Sequence, residues 1–162
     1  MFTLKKIERK DVLYVFSGLS NPDIIKYYGI SFDTLEATQE QMIWYDDLLI
    51  NDTGIWWKIV SKDNCFVGAC GFNDMTKEKA EIGFWILPDF WKQGYAFAAV
   101  SLIVAFAFET LRLNQLEAFV DSRNRACLQL LSKLGFKHIK TYKNYEDTDG
   151  SLIDLELHVK VA

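Results

Sequence analysis

Only two histidines and three cysteines occur in 162 residues, and neither set is spaced to hold a metal. His138 and His158 have no ligand-type partners at zinc spacing, so a dedicated metal site is not expected. Cys65, Cys70 and Cys127 are odd in number and form no CxxC pair. That usage fits reduced thiols in a cytoplasmic protein rather than a disulfide framework. No Lys/Arg-rich stripe is present and the formal net charge is −4, so nucleic acid is not an expected partner. The most apolar run, Gly94 to Phe108, is interrupted by Ser101 and closed by Glu109 and Arg112. It falls short of the about 18 to 20 residues of a membrane span. The opening MFTLKKIERKD lacks the apolar segment and small-residue site of an export signal. Repeats, low-complexity tracts and Pro/Gly/Ser linkers are absent as well, so one domain over residues 1–162 is expected.

What remains is a globular composition, half hydrophobic and 15% aromatic with a quarter of the residues charged. The acidic balance mildly suits cationic substrates such as amines.

Phe2 to Glu8 alternates apolar and polar residues like a half-buried strand. Arg9 to Leu19 reads as a helix stopped by Ser20-Asn21-Pro22, and Asp23 to Tyr28 as a short one ending at Gly29. Thr38, with Gln41 three residues on, fits a capping box for a helix reaching Ile50. Ile55–Val60, Phe66–Phe72 and Ala80–Leu87 read as strands. A long helix from Gly94 to Leu111 follows, then a strand Leu116–Asp121, a helix Arg125–Leu134 and a strand Phe136–Tyr145. Asp147-Thr148-Asp149-Gly150 turns the chain into the last strand, Leu152–Val161. The order predicts an α/β (α+β) fold, a mixed sheet with helices on both faces.

One segment carries chemistry. A strand runs into Asp89-Phe90-Trp91-Lys92-Gln93-Gly94-Tyr95-Ala96 and then into the long helix. Small residues at 94 and 96 allow close backbone approach, and the helix opens with unpaired N–H groups suited to a pyrophosphate. Neither GxxxxGK[ST] nor GxGxxG is present, so nucleoside triphosphatase and nicotinamide fingerprints are both missing. A tight turn that merely needs small residues would look the same on this evidence alone.

Further pieces stand in order along the chain: Glu81-Ile82-Gly83-Phe84-Trp85, then Trp91 to Ala96, then Asn124-Arg125-Ala126-Cys127 leading to Leu131-Ser132-Lys133-Leu134-Gly135-Phe136. Tyr145, Gly150 and Asp154 follow in the tail. Together they resemble the GNAT acetyltransferase superfamily, in particular its ribosomal-protein N-terminal acetyltransferase-like branch. The resemblance implies a largely antiparallel twisted sheet in which Ala80–Leu87 and Leu116–Asp121 splay apart as a parallel pair, forming an acetyl-CoA cleft. Backbone groups of Phe84, Trp85 and Ile86 would pair with the pantetheine arm. Amides of Gln93, Gly94, Tyr95, Ala96 and Phe97 would hold the pyrophosphate. Trp91 stands where the superfamily motif often has Arg or Gln, a departure that leaves the amide cradle intact. Asn124 resembles the asparagine that bonds the pantetheine near the thioester, and it equally suits a helix N-cap.

The implied reaction is transfer of acetyl from acetyl-CoA to a primary amine, such as a protein N-terminal α-amine. A non-catalytic acetyl-CoA or acyl-CoA sensor on the same fold is the alternative. Glu81 stands where similar enzymes use a base acting through water, or is an ordinary strand-end carboxylate. Many relatives have a Tyr acid at the position of Leu131, which this chain cannot use. Cys127 and Tyr145 fall at the remaining family-matched positions, as weak donor and phenol or as structural residues. The acceptor end, around Tyr27, Tyr28, Trp44, Trp56 and Trp57, is aromatic but carries no readable code. An α-amine near pKa 7.7–8.0 is easier to deprotonate than a lysine near 10.4, which favours N-terminal amines, with small polyamines and aminoglycoside-like amines also open. No membrane partner is expected, and exposed aromatics would suit a homodimer.

Overall fold

Seven segments of alternating or branched and aromatic residues pair into one sheet. The computed structural model of the protein describes residues 1–162. Its strands are β1 (Phe2–Lys6), β2 (Ile55–Ser61), β3 (Phe66–Asn73), β4 (Lys79–Ile86), β5 (Gln115–Asp121), β6 (Lys137–Glu146) and β7 (Leu152–Val161). Their spatial order is β1-β2-β3-β4-β5-β7-β6. Every neighbouring pair is antiparallel except β4 with β5. The mixed, largely antiparallel sheet with a parallel pair is thus present, as the motifs implied.

Five helices cover the sheet: α1 (Val12–Leu19), α2 (Pro22–Ile25), α3 (Leu35–Ile50), α4 (Tyr95–Glu109) and α5 (Arg125–Lys133). Strand side chains alternate between faces, so one sheet supports two cores. Val15, Leu19, Ile24, Met42, Tyr45 and Leu48 of α1 to α3 pack with Trp56, Ala69 and Trp85. Val100, Ile103, Ala107 and Leu131 of α4 and α5 pack with Phe72, Ile82 and Leu116 on the other side. Leu131 is fully buried there. No helix is long and apolar enough to cross a membrane.

Three local details differ from the expectation. Thr34, not Thr38, caps α3: its backbone is extended, and its hydroxyl accepts from Ala37 N–H at 3.0 Å. Thr38 lies inside the helix, buried, with its hydroxyl donating to the Thr34 carbonyl at 2.9 Å. The helix expected from Arg9 begins as a 3-10 turn, Arg9–Asp11, before α1. There the Asp11 carboxylate accepts from Glu8 N–H at 2.8 Å and from Lys58 at 2.9 Å. The third difference bears on function. α2 stops at Ile25, and Gly29 at φ +82° turns the chain onward, so Tyr28 lies on a connecting segment rather than a helix.

Candidate functional site

The parallel pair opens almost as soon as it forms. β4 and β5 match only at Lys79↔Gln115, Ala80↔Leu116 and Glu81↔Glu117. Beyond that point β5 stays with β7 as far as Asp121, while β4 stays with β3 as far as Ile86. The facing edges part after Glu81, and β4 keeps an unpaired edge. Leu87 N–H donates to Val67 on β3 at 2.8 Å. By alternation Trp85 turns its backbone to β3, while Phe84 and Ile86 turn theirs to the open edge. The Ile86 carbonyl accepts from the Trp91 indole at 2.7 Å, so Phe84 is the residue of the three with both backbone groups free. Trp85 contributes its ring instead, 3% exposed and packed where a Cβ on Gly18 would lie 2.2 Å away.

Past the end of β4 the chain coils through Lys92 at φ +59° and Gly94 at φ +85° into α4. Gly94 is the N-cap of α4 and offers no side-chain oxygen. The backbone N–H groups of Gln93, Gly94, Tyr95, Ala96 and Phe97 donate to no protein atom, and the first helical bond is Ala98 N–H to the Gly94 carbonyl. A Cβ on Gly94 would meet nothing within 4 Å. Five free donors at the positive end of a 15-residue helix fit a pyrophosphate without help from a cationic side chain.

At the closed end of the splay lie two adjoining hollows. One, of about 250 Å³, is lined by Asp74, Lys79, Ala80, Glu81, Glu117 and Phe119. The other, of about 300 Å³, is lined by Glu81, Phe119, Tyr142, Tyr145 and Leu155. Glu81 and Tyr145 therefore meet at one cavity, although 64 residues apart in sequence. Asn73 bridges two carboxylates, its amide donating to Asp74 at 2.9 Å and to Glu81 at 3.2 Å. Burial, followed by the neighbouring Asp74 and Glu117 charges, pushes the Glu81 carboxyl up to about 7, against the amide of Asn73. Glu117 is paired with Lys79 at 2.6 Å. Neither Asp74 nor Glu81 has a cationic partner in the protein.

Asn124 caps α5, its side-chain oxygen accepting from Cys127 N–H at 3.3 Å. Its amide nitrogen is left for another acceptor. The Cys127 thiol is pushed up to about 12 by burial, so it stays a neutral, weak donor. No group of three or more His, Cys, Asp or Glu side chains sits where it could hold a metal ion.

A strap of residues 26–29 crosses the mouth of the cleft. The Tyr27 ring lies 5.1 Å from the Arg123 guanidinium, which forks onto Asp121 at the end of β5 with contacts of 3.0 and 2.7 Å. The Gly29 carbonyl accepts from the Thr148 hydroxyl in the β6–β7 turn. Between these anchors Tyr28 points inward, its hydroxyl 3.9 Å from where a Cβ on Gly83 would lie. Sequence reasoning passed over Asp74, Phe119 and Tyr142, and it counted Tyr28 only as acceptor-side aromatic surface. Asp74 follows β3 and the others come from β5, β6 and the strap, so only the folded sheet brings them to Glu81.

Residues 2–137 match the family described as the acetyltransferase (GNAT) domain. An uncharacterised N-acetyltransferase, p20, of Bacillus licheniformis is 31% identical over 94% of this chain and 88% of its own. The spermidine N(1)-acetyltransferase of Escherichia coli is 26% identical over 82% of this chain and 71% of its own. Among solved structures, a spermidine N-acetyltransferase from Vibrio cholerae in complex with CoA and spermine superposes with a TM-score of 0.87. That likeness covers 99% of this chain and 95% of the other at 16% identity, and so speaks to the fold.

Proposed function

Because the chain belongs to the GNAT acetyltransferase family and is an acetyl-CoA-dependent N-acetyltransferase, we propose that its acceptor is a small polyamine-type cation and that Glu81 is the base. The observation that carries this reading is the pair of carboxylates, Asp74 and Glu81, that face a hollow of about 250 Å³ without a cation of their own. An ammonium supplies the missing charge. Phe119, Tyr142 and Tyr145 offer apolar and π surface for the methylene spacer of such a molecule. The spermidine N(1)-acetyltransferase relative supports the same substrate class.

A primary amine of lysine-like pKa near 10.4 is neutral only about once in 2,500 molecules at pH 7, so this acceptor needs a base. A carboxyl brought up to about 7 is matched to that task, being half ionised at neutral pH and strong enough to take the proton as the C–N bond forms. The cosubstrate lies, on this reading, along the open edge of β4, bonded by Phe84 and by the free carboxamide nitrogen of Asn124. Its pyrophosphate rests on the amides of Gln93 to Phe97. Trp85 and Ile86 follow Phe84 along β4 and pack into opposite faces of the sheet, and Tyr145 lines the outer hollow.

The test is thiol release from acetyl-CoA with spermidine, spermine, a peptide bearing a free N-terminal alanine, and an aminoglycoside. A kcat/KM for a polyamine at least about tenfold above that for the peptide is expected; the reverse order would return the site to protein N-termini.

A further inference from the structure

Among the phenols near the splay, Tyr28 has a hydroxyl that no protein group answers. Its ring packs against the aromatic cluster around Trp56, and the strap carrying it is fixed at both sides, by Tyr27 on Arg123 and by Gly29 on Thr148. Position 83 has no side chain, and any Cβ there would press to 2.8 Å on the Trp56 ring. That gap leaves the Tyr28 hydroxyl over Gly83 on the α1–α3 face of β4, one residue before Phe84, whose backbone groups face the open edge. Burial, followed by the neighbouring titratable groups of Tyr45, Glu81 and Cys127, raises the phenol well above its ordinary 10.

We infer that Tyr28 is the proton donor to the leaving thiol, its hydroxyl hydrogen-bonding the thioester sulfur from the α1–α3 face of β4 above Gly83 as the C–S bond breaks. The inference rests on the acetyl-transfer reading above. The amine lone pair forms the C–N bond while Glu81 takes an amine proton, directly or through one water. When the carbonyl re-forms, the C–S pair leaves on sulfur and Tyr28 supplies its proton. The tyrosinate then recovers a proton from the Glu81 carboxylic acid, so the enzyme ends as it began and the products are the N-acetylated amine and free CoA thiol. Transfer from a raised phenol to a thiolate of ordinary pKa near 8.5 is uphill by itself. The net transfer, from Glu81 at about 7 to that thiolate, is downhill. A phenol raised in this way stays protonated at neutral and mildly alkaline pH, where Glu81 is ionised.

The experiment is Tyr28→Phe, which removes an oxygen bonded to no protein atom and keeps the packed ring. Expected are a kcat lowered by at least about tenfold, KM for amine and for acetyl-CoA within about twofold of wild type, and a deficit constant from about pH 6.5 to 9. The deficit of Glu81→Gln, by contrast, shrinks as pH rises. Tyr45→Phe, which loses a buried unpaired phenol on the same face, keeps wild-type kcat and serves as control. A Tyr28→Phe enzyme with wild-type kcat overturns the inference, as does a loss carried wholly by amine KM, while both leave acetyl transfer standing. A wild-type protein that releases no thiol with any amine removes both.

Discussion

Replacing Glu81 with glutamine tests the base and the cost of keeping it in one experiment. The folded carboxyl sits at about 7 against an ordinary 4.5, so the folded state holds its proton more tightly than the unfolded chain. Between those values the folded protein binds more protons, and stability falls as pH rises. The penalty is absent below about pH 4.5 and complete once pH passes about 7. A displacement of that size corresponds to about 3 kcal/mol, and partial exposure of the group reduces it to about 2 kcal/mol. Glutamine is nearly isosteric and carries no charge, so Glu81→Gln removes the penalty. At pH 8 the variant melts about 4 to 8 °C above wild type, and the gap closes towards pH 5, where both side chains are neutral. Activity moves the other way. At pH 7.5 kcat/KM falls by at least about tenfold, the inflection near pH 7 in the wild-type profile disappears, and the deficit shrinks where the free amine is abundant. Differential scanning calorimetry across pH and a thiol-release assay on the same preparations read both effects. A variant that is no more stable at pH 8, yet keeps wild-type kcat/KM from about pH 6.5 to 9, refutes the raised carboxyl and the base together.

Two further outcomes bear on the cosubstrate. Acetyl-CoA at a hundredfold excess over its Kd stabilises the protein by about 2.7 kcal/mol, visible as a rise in melting temperature that NAD and ATP do not produce; no shift at millimolar acetyl-CoA contradicts the cleft. Gly94→Ala forces a side chain into φ +85° and sets a methyl in the pyrophosphate cradle, so calorimetry should find acetyl-CoA affinity reduced at least about tenfold in a folded protein; unchanged affinity rules the amide cradle out.

Much of this architecture was legible because local signals and fold agreed. The strand Ala80–Leu87, the break at Pro88-Asp89 and the small residues at 94 and 96 announced a strand-to-helix turn, and α4 begins beside that glycine. Asn124 read as a cap and serves as one. The acceptor side was obscure for physical reasons. Thr38 carries the same capping chemistry as Thr34, and which of them caps depends on where the preceding strap leaves the chain, a tertiary matter. Asp74 and Glu81 lie seven residues apart, and their closeness arises from the β3–β4 pairing, with Asn73 opposite Glu81. The cavity shared by Glu81, Tyr142 and Tyr145 depends on β7 lying between β5 and β6, an order that no local pattern encodes.

Leu131 and Tyr28 make the last point together. On α5, Leu131 is completely buried and offers no donor. Tyr28, an unpaired phenol, reaches Gly83 from the α1–α3 face, on a segment between α2 and α3 with no regular structure of its own. A hydroxyl fixed by its own hydrogen bonds would give up donor capacity to the protein. Tyr28 is instead fixed by packing on the Trp56 cluster and by anchors on the residues either side of it. Its hydroxyl therefore keeps its donor capacity for a ligand. Gly83 carries the same logic. Its missing side chain removes a clash with Trp56 and leaves space on that face of β4, so the aromatic core under α1 and α3 sets where the free hydroxyl stands.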